Sequence, residues 1–160
     1  MLRPLSLVLT AMIALLLAQS ARADGFSATV EVSAGDQKAS AANDAAVRKD
    51  KPLSSRPRLQ ASADGKFTIR WKITRTAAEP VKDALVHFYL VQIERPGQAP
   101  PPLEPGIVQL ESALTMDFDA KTSASAQMSF RPQKAGVYLV RIEVEGANAA
   151  TFAEMDLVAK

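Results

Sequence analysis

Two stretches of alternating residues, joined by a polar turn, constrain the fold more than any other feature of this sequence. In the first stretch, polar residues alternate with four apolar ones, Phe67, Ile69, Trp71 and Ile73. A period of two over this length predicts a β-strand with one face buried and the other in water. The alternation therefore assigns Trp71 a structural role in the core.

The second stretch, residues 85–93, is largely apolar on both faces. One face carries Val86, Phe88 and Leu90, and the other carries Leu85, His87, Tyr89, Val91 and Ile93. A strand with two apolar faces is typical of the centre of a sheet that is covered on both sides.

The remaining chain reads as short strands separated by turns. Strands are predicted at 24–32, at 56–62 as a short edge strand, and at 113–118, 124–131, 137–145 and 151–159. Residues 33–55 have almost no large apolar side chain, which predicts a flexible linker or long loop. Residues 94–106 contain five of the ten prolines and are predicted to form an extended surface loop. Seven or eight strands without a convincing helix predict an all-β fold, an antiparallel β-sandwich over residues 56–160.

The N-terminus has the features of a signal peptide. Arg3 is followed by an apolar run at 5–18, and Ala21 and Ala23 form the small-residue pattern that signal peptidase requires. The run is short for a membrane span, which takes roughly 20 residues. We predict a signal peptide at 1–23, cleaved before Asp24, and an exported protein, periplasmic or extracellular, with no membrane attachment afterwards. The alternative is an uncleaved N-terminal anchor.

Charge and composition exclude several function classes. Removal of Arg3 and Arg22 lowers the count of basic residues from 19 to 17, equal to the 17 acidic residues, so the mature chain is formally neutral. Neutrality gives no reason to expect a nucleic-acid partner. The chain has no cysteine and one histidine, which excludes thiol catalysis, cysteine–zinc sites and multi-histidine metal sites within one protomer. We expect no cofactor and no enzymatic activity.

Two segments resemble known modules. Residues 134–140 (KAGVYLV) resemble the end of an immunoglobulin-like domain, where a tyrosine hydroxyl bonds to nearby backbone and pins a corner. By this resemblance Tyr138 takes that structural role, although Val140 stands where antibody domains have cysteine. Residues 67–91 are similar to bacterial CARDB-type and fibronectin type III-like modules. The resemblance implies an immunoglobulin-like sandwich and a role in binding, spacing or docking.

Two sets of residues have side chains that suit metal or acid–base chemistry. His87, together with Met116, Met128 and Met155, suggests an exported copper-binding protein, since imidazole and thioethers suit Cu(I). The methionines, however, fall on predicted inward faces, where methionine fills the core. Asp117 and Asp119 point the same way on a strand, and a solvated strand face accounts for them without a metal or an acid–base role.

A surface remains as the candidate functional feature. In a sandwich of this kind the third, sixth and last strands share a sheet, and its outer face mixes aromatic and charged residues, as recognition surfaces do. The predicted partner surface consists of His87, Tyr89, Val91, Leu139, Arg141 and Glu143. Either this face binds a protein or a cell-envelope component, or the N-terminal strand or residues 33–55 cover it. The sequence thus favours a non-catalytic binding or structural accessory domain, whose oligomeric state it does not specify.

Overall fold

The structure is a computed structural model that describes residues 25–44, 55–145 and 150–160, and within these ranges the chain forms nine β-strands and no α-helix. The strands are β1 (Phe26–Ala34), β2 (Gln37–Asp44), β3 (Arg58–Ala61), β4 (Phe67–Arg75), β5 (Val81–Ile93), β6 (Val108–Phe118), β7 (Ser123–Phe130), β8 (Gly136–Glu145) and β9 (Ala150–Ala159). The predicted all-β class is confirmed. The signal peptide lies outside the described residues, and no helix in the described ranges has the length and apolarity to cross a membrane.

The strands form two sheets that face each other across one core. Sheet A has the order β2-β1-β4-β7, and sheet B has the order β3-β9-β8-β5-β6. The pairing of β3 with β9 is parallel, so sheet B is mixed, whereas a purely antiparallel sandwich was predicted. Alternation along a strand reports which face is buried and carries no information about strand direction, so the sequence could not reveal this pairing.

The core consists of the inward faces that the alternation predicts. The apolar row of β4 and the row of Val86, Phe88 and Leu90 on β5 are buried in one cluster between the sheets. Trp71 belongs to this cluster and is 6% exposed, although its indole Nε1 has no hydrogen-bond partner within the described ranges. Tyr138 is buried beside them, and its hydroxyl donates a 2.7 Å hydrogen bond to the carbonyl of Lys134, the kind of bond that the resemblance implied.

The sandwich begins before residue 56, contrary to the predicted boundary. Strand β1 lies in sheet A between β2 and β4, and its residues Phe26, Ala28, Val30 and Val32 are buried in the core. The linker predicted for 33–55 is wrong where β2 forms, over Gln37–Asp44. Backbone pairing with β1 builds this edge strand, and Ala41 fills its place in the core, so no large apolar side chain is needed.

The two strands before β8 differ in detail from the prediction. Strand β6 begins at Val108, five residues before the predicted start at 113, and continues the pairing with β5. On β7, Phe130 is buried and Met128 packs against the core, but Ala126 is exposed. Strands β6 and β7 are the edges of their sheets, so inward-facing residues there have fewer neighbours across the sandwich.

Candidate binding face

The six residues of the predicted partner surface lie together on the outer face of sheet B. They form three directly opposed pairs across β5 and β8: His87 with Glu143, Tyr89 with Arg141, and Val91 with Leu139. Tyr89 is 6% exposed, and Val91 and Leu139 are 0% exposed. Of the two alternatives that the sequence left open, an exposed recognition face and a covered face, the burial of these three residues agrees with the covered face.

The cover of this face also differs from the expected one. Strands β1 and β2 belong to sheet A, so the N-terminal strand does not lie over the outer face of sheet B. The proline-containing loop between β5 and β6 is attached there instead. Within it, the Gly97 amide donates to Asp156 Oδ2 at 2.8 Å, and the Gln98 carbonyl accepts from Arg56 Nη2 at 2.8 Å.

Arg56 joins the loop to the last strand through buried ion pairs. Its Nη1 lies 2.8 Å from Asp156 Oδ1, and its Nε lies 3.3 Å from Glu154 Oε1. The Nε contact is an ion pair without a hydrogen bond, since no acceptor meets the geometry at this atom. All three side chains are almost completely buried. Charges with so little access to water persist only when they are paired in this way.

The network continues across the sheet toward its opposite edge. Arg141 donates to Glu143 Oε2 at 2.8 Å and to Glu154 Oε2 at 3.0 Å, and its guanidinium lies 3.9 Å from the ring centroid of Phe152. His87 follows, with Nε2 3.0 Å from Glu111 Oε1 and Nδ1 3.5 Å from Glu143 Oε1. These contacts pair the charged residues of the predicted surface with one another and with neighbours on the same sheet, in a network that becomes more exposed toward Glu111.

Burial on this face raises the pKa of Tyr89. Burial raises the pKa of Tyr89 to about 12, an effect that the charge of Arg141 partly opposes and that of Glu143 reinforces. The hydroxyl therefore stays neutral over the whole physiological range, which suits a packing residue better than a reactive one.

The structure also separates the histidine from the methionines. His87 lies on the outer face of sheet B, whereas Met155 is buried between the sheets, where Met116 and Met128 pack against the same core. Among the described residues no group of three or more histidine and carboxylate side chains is arranged to hold a metal ion. An imidazole–thioether copper site is thus not assembled by these residues.

Asp117 serves a local structural contact. Its carboxylate accepts hydrogen bonds from Lys82 Nζ at 2.8 Å and from the Asp83 amide at 3.1 Å. The bond from Lys82 is the main reason that the pKa of Asp117 is lowered. Asp117 therefore joins the end of β6 to the start of β5.

The outer face of sheet A is of a different kind, because polar side chains dominate it. Cross-strand pairing brings Glu31 beside Arg70 and Arg70 beside Gln127. Arg70 donates to Gln127 Oε1 at 2.7 Å and to Glu31 Oε1 at 3.2 Å, while Lys38 Nζ lies 2.7 Å from Glu31 Oε2. Arg70 and Lys38 are more than half exposed, so these groups remain available to solvent.

A depression of about 450 Å³ lies over this face. Its lining includes the hydroxyls of Thr29 and Ser125, the carboxylate of Glu31, the amide of Gln127 and the cations of Arg70 and Lys72. The hydrogen bond from Lys38 is the main cause that lowers the pKa of Glu31, with Arg70 acting in the same direction, so Glu31 stays ionised. The depression thus presents donors, acceptors and fixed charges of both signs to water.

The sequence gives only part of this arrangement. Alternation places Arg70 and Lys72 on the water-facing side of β4, but the neighbours of β4 in the sheet cannot be read from a periodic pattern. The buried network has a weak signal, namely Glu154 and Asp156 within an otherwise apolar last strand. Their partner Arg56 lies before the short β3 and has no pattern that marks it as buried.

Comparisons with known proteins show no family for this chain. No protein-family model matches this chain, and no curated protein matches it in sequence. Among solved structures, the C-terminal domain of Wzt is similar over 82% of this chain and 70% of that one, with 7% identity and a TM-score of 0.44. A β-glucosidase, EmGH1 from Erythrobacter marinus, is similar over 62% of this chain and 14% of that one, with 9% identity and a TM-score of 0.34. Neither similarity supports an argument about function, and the fold assignment rests on the strand pairing.

Proposed function

We propose that this chain is a non-catalytic binding module, exported to the periplasm or beyond the cell, which binds a protein or a cell-envelope component through the outer face of sheet A. The observation that carries the proposal is the contrast between the two outer sheet faces. The face on sheet B is occupied by its own loop and ion pairs, whereas the face on sheet A presents a polar depression.

The chemistry of the depression defines the kind of ligand. Sites for small molecules are mostly apolar and enclosed, whereas this depression is open and most of the residues that line it are polar or charged, with Trp71 and Ala126 as the apolar ones. Lys72 makes no ion pair within the described residues, so a cation is available beside the Arg70 guanidinium. We expect an extended ligand with hydrogen-bond acceptors and some negative charge.

The strand order supports an immunoglobulin-like sandwich as the scaffold. In such domains the third, sixth and seventh strands are adjacent in one sheet, and the second and fifth pair in the other. Here β5, β8 and β9 are adjacent in sheet B, and β4 pairs with β7 in sheet A. The corner bond of Tyr138 agrees with this arrangement.

The test compares two double variants of equal charge change. The chain, expressed from its full sequence and purified after export, is immobilised and exposed to solubilised envelope protein, cell-wall sacculi and acidic polysaccharide in parallel. The double variant Arg70→Ala, Lys72→Ala should have an affinity for any captured ligand that is lower by about tenfold or more, because each substitution removes a charge-assisted contact. The control double variant Arg131→Ala, Lys134→Ala, at exposed positions around a turn, should keep the affinity of the wild type.

Three results would contradict the proposal. Equal binding by the two double variants would show that the outer face of sheet A does not bind the ligand. Turnover of a substrate in a hydrolase screen would contradict the non-catalytic role. Micromolar copper binding in calorimetry that disappears in His87→Ala would favour metal binding as the function.

A further inference from the structure

Among the strands that the structure describes, the longest edge strand has no partner on one side. Strands β2, β3, β6 and β7 are the four edges in the described structure, and β6 is eleven residues long. Apart from its pairing with β5, no backbone hydrogen bond is made by residues 109–118 within the described ranges. A row of free amide and carbonyl groups along such an edge is a template for pairing with another strand.

The side chains of β6 make this edge apolar as well as open. Leu110 and Leu114 lie opposite the core residues Leu90 and Val86 of β5, so both point to the inner side of sheet B. Sheet B has one strand more than sheet A, and the substantial contacts of β6 are with β5 alone. Leu114 is consequently 48% exposed at the middle of the strand.

The pairing of β6 with β5 is irregular near both ends, between Val81 and Ala84 and between Leu90 and Val91, but the middle of β6 lacks other devices that protect an edge strand. Natural edges are kept apart by proline, by lysine or by very short strands. Strand β3 is only four residues long, and β2 contains Lys38. The sequence of β6, VQLESALTMDF, contains no proline, lysine or arginine. Its two acids, Glu111 and Asp117, are on the outer face and contact His87 and Lys82 of β5.

We propose that β6 pairs antiparallel with β6 of a second copy of this chain and joins the two B sheets into one continuous sheet. The two-fold axis passes between the two copies of Ser112. In this register Leu114 of each copy lies opposite Leu110 of the other, and Met116 lies on the same face, beyond each leucine pair. The exposed apolar residues of both copies then form a single strip that is shielded from water.

Charge selects this register among its neighbours. A shift of one strand by two residues in one direction would place Glu111 opposite Glu111 of the second copy. A shift by four residues in the other direction would place Glu111 opposite Asp117. Directly opposed like charges destabilise a strand pair. The remaining neighbour, a slide of two residues, sets Leu114 against Ser112 and loses both leucine pairs. The proposal does not depend on the proposed function, since the outer face of sheet A stays open in this dimer.

Sedimentation velocity over a concentration series tests the proposal with a matched pair of variants. Leu114→Glu should raise the dimer dissociation constant about tenfold or more, because each copy would bring a charge into the apolar strip. Leu103→Glu, at the exposed leucine of the loop, should leave it unchanged. Both positions are exposed, so both variants should fold.

The register has a separate test because the chain contains no cysteine. Ser112→Cys should form a covalent dimer under mild oxidation or with a short bis-maleimide, whereas Ser129→Cys on the edge strand β7 should not. A wild-type chain that stays monomeric at every concentration would overturn the proposal. So would equal dimerisation of the two leucine variants, or protection of the β6 amides from hydrogen exchange in a monomer, which would place another segment of the same chain on this edge.

Discussion

Arg56 and Asp156 are 100 residues apart in the chain, yet their side chains meet at 2.8 Å with both completely buried. The pair joins the segment before β3 to the last strand, and each residue also bonds to the backbone of the loop between β5 and β6. The pair thus anchors this loop to the outer face of sheet B, on which Tyr89, Val91 and Leu139 are buried.

Loss of Arg56 should therefore destabilise the whole domain. Arg56→Ala leaves two buried carboxylates, Glu154 and Asp156, without their shared cation, and we expect the free energy of unfolding to fall by about 3–5 kcal/mol. Arg58→Ala, at an exposed position two residues later, should change it by less than about 0.5 kcal/mol. Chemical denaturation measures both, and equal midpoints would show that the Arg56 ion pairs do not hold the face closed.

The pKa of Tyr89 leads to a prediction about alkaline pH. A tyrosine has a pKa of about 10 in the unfolded chain, and burial raises that of Tyr89 to about 12. The folded state therefore keeps a proton that the unfolded state loses, so the stabilisation is complete below pH 10 and is lost as the pH rises toward 12. Between these limits the wild type should lose about 2–3 kcal/mol more than Tyr89→Phe.

Denaturation of the two proteins at several alkaline pH values checks this difference, because ionisation of the lysines is common to both. Identical pH profiles would mean that the Tyr89 hydroxyl reaches water in the folded protein. At neutral pH, Tyr89→Ala should cost about 3 kcal/mol or more, as expected for a large buried ring and not for a surface contact.

The sequence predicts those features of the fold that depend on the residues of a single strand. The inward rows of β4, β5 and β8 follow from alternation, because burying one face of a strand requires it. What the sequence does not contain is the lateral position of each strand. The small residues of β2 form a strand because β1 offers a backbone ladder, and Tyr89 is buried on a sheet face to which Arg56 and the loop between β5 and β6 are anchored. Both outcomes depend on contacts between distant segments.

The core position of Trp71 gives a third prediction. Trp71→Ala should lower the free energy of unfolding by about 3–5 kcal/mol, since neighbouring strands cannot collapse into the space of an indole. Trp71→Phe should cost clearly less. Phenylalanine keeps most of the ring volume. The substitution removes the indole Nε1, which makes no hydrogen bond within the described residues. Equal losses for the two variants in denaturation experiments would mean that the indole nitrogen has a partner after all.

Two glycines allow a matched test of the packing at the start of β1. Gly25 and Gly35 both have positive φ angles, of 64° and 57°, so alanine is strained at either position. A Cβ on Gly25 would collide with the Cβ of Ala77, whereas no atom of the described residues lies within 4 Å of a Cβ on Gly35. We expect Gly35→Ala to cost about 1 kcal/mol and Gly25→Ala to cost more. The reverse order in thermal denaturation would show that β1 is not docked beside residue 77.

The central claim is that the closed face belongs to sheet B and the open face to sheet A, and thiol labelling measures this directly. The wild-type chain has no cysteine, so single cysteines can be placed at Val91 on sheet B and at Ser125 on sheet A. With a maleimide under native conditions, Ser125→Cys should react at the rate of a free thiol, and Val91→Cys should react only as the domain unfolds. Equal rates in two folded variants would place the outer face of sheet B at the surface and contradict the account.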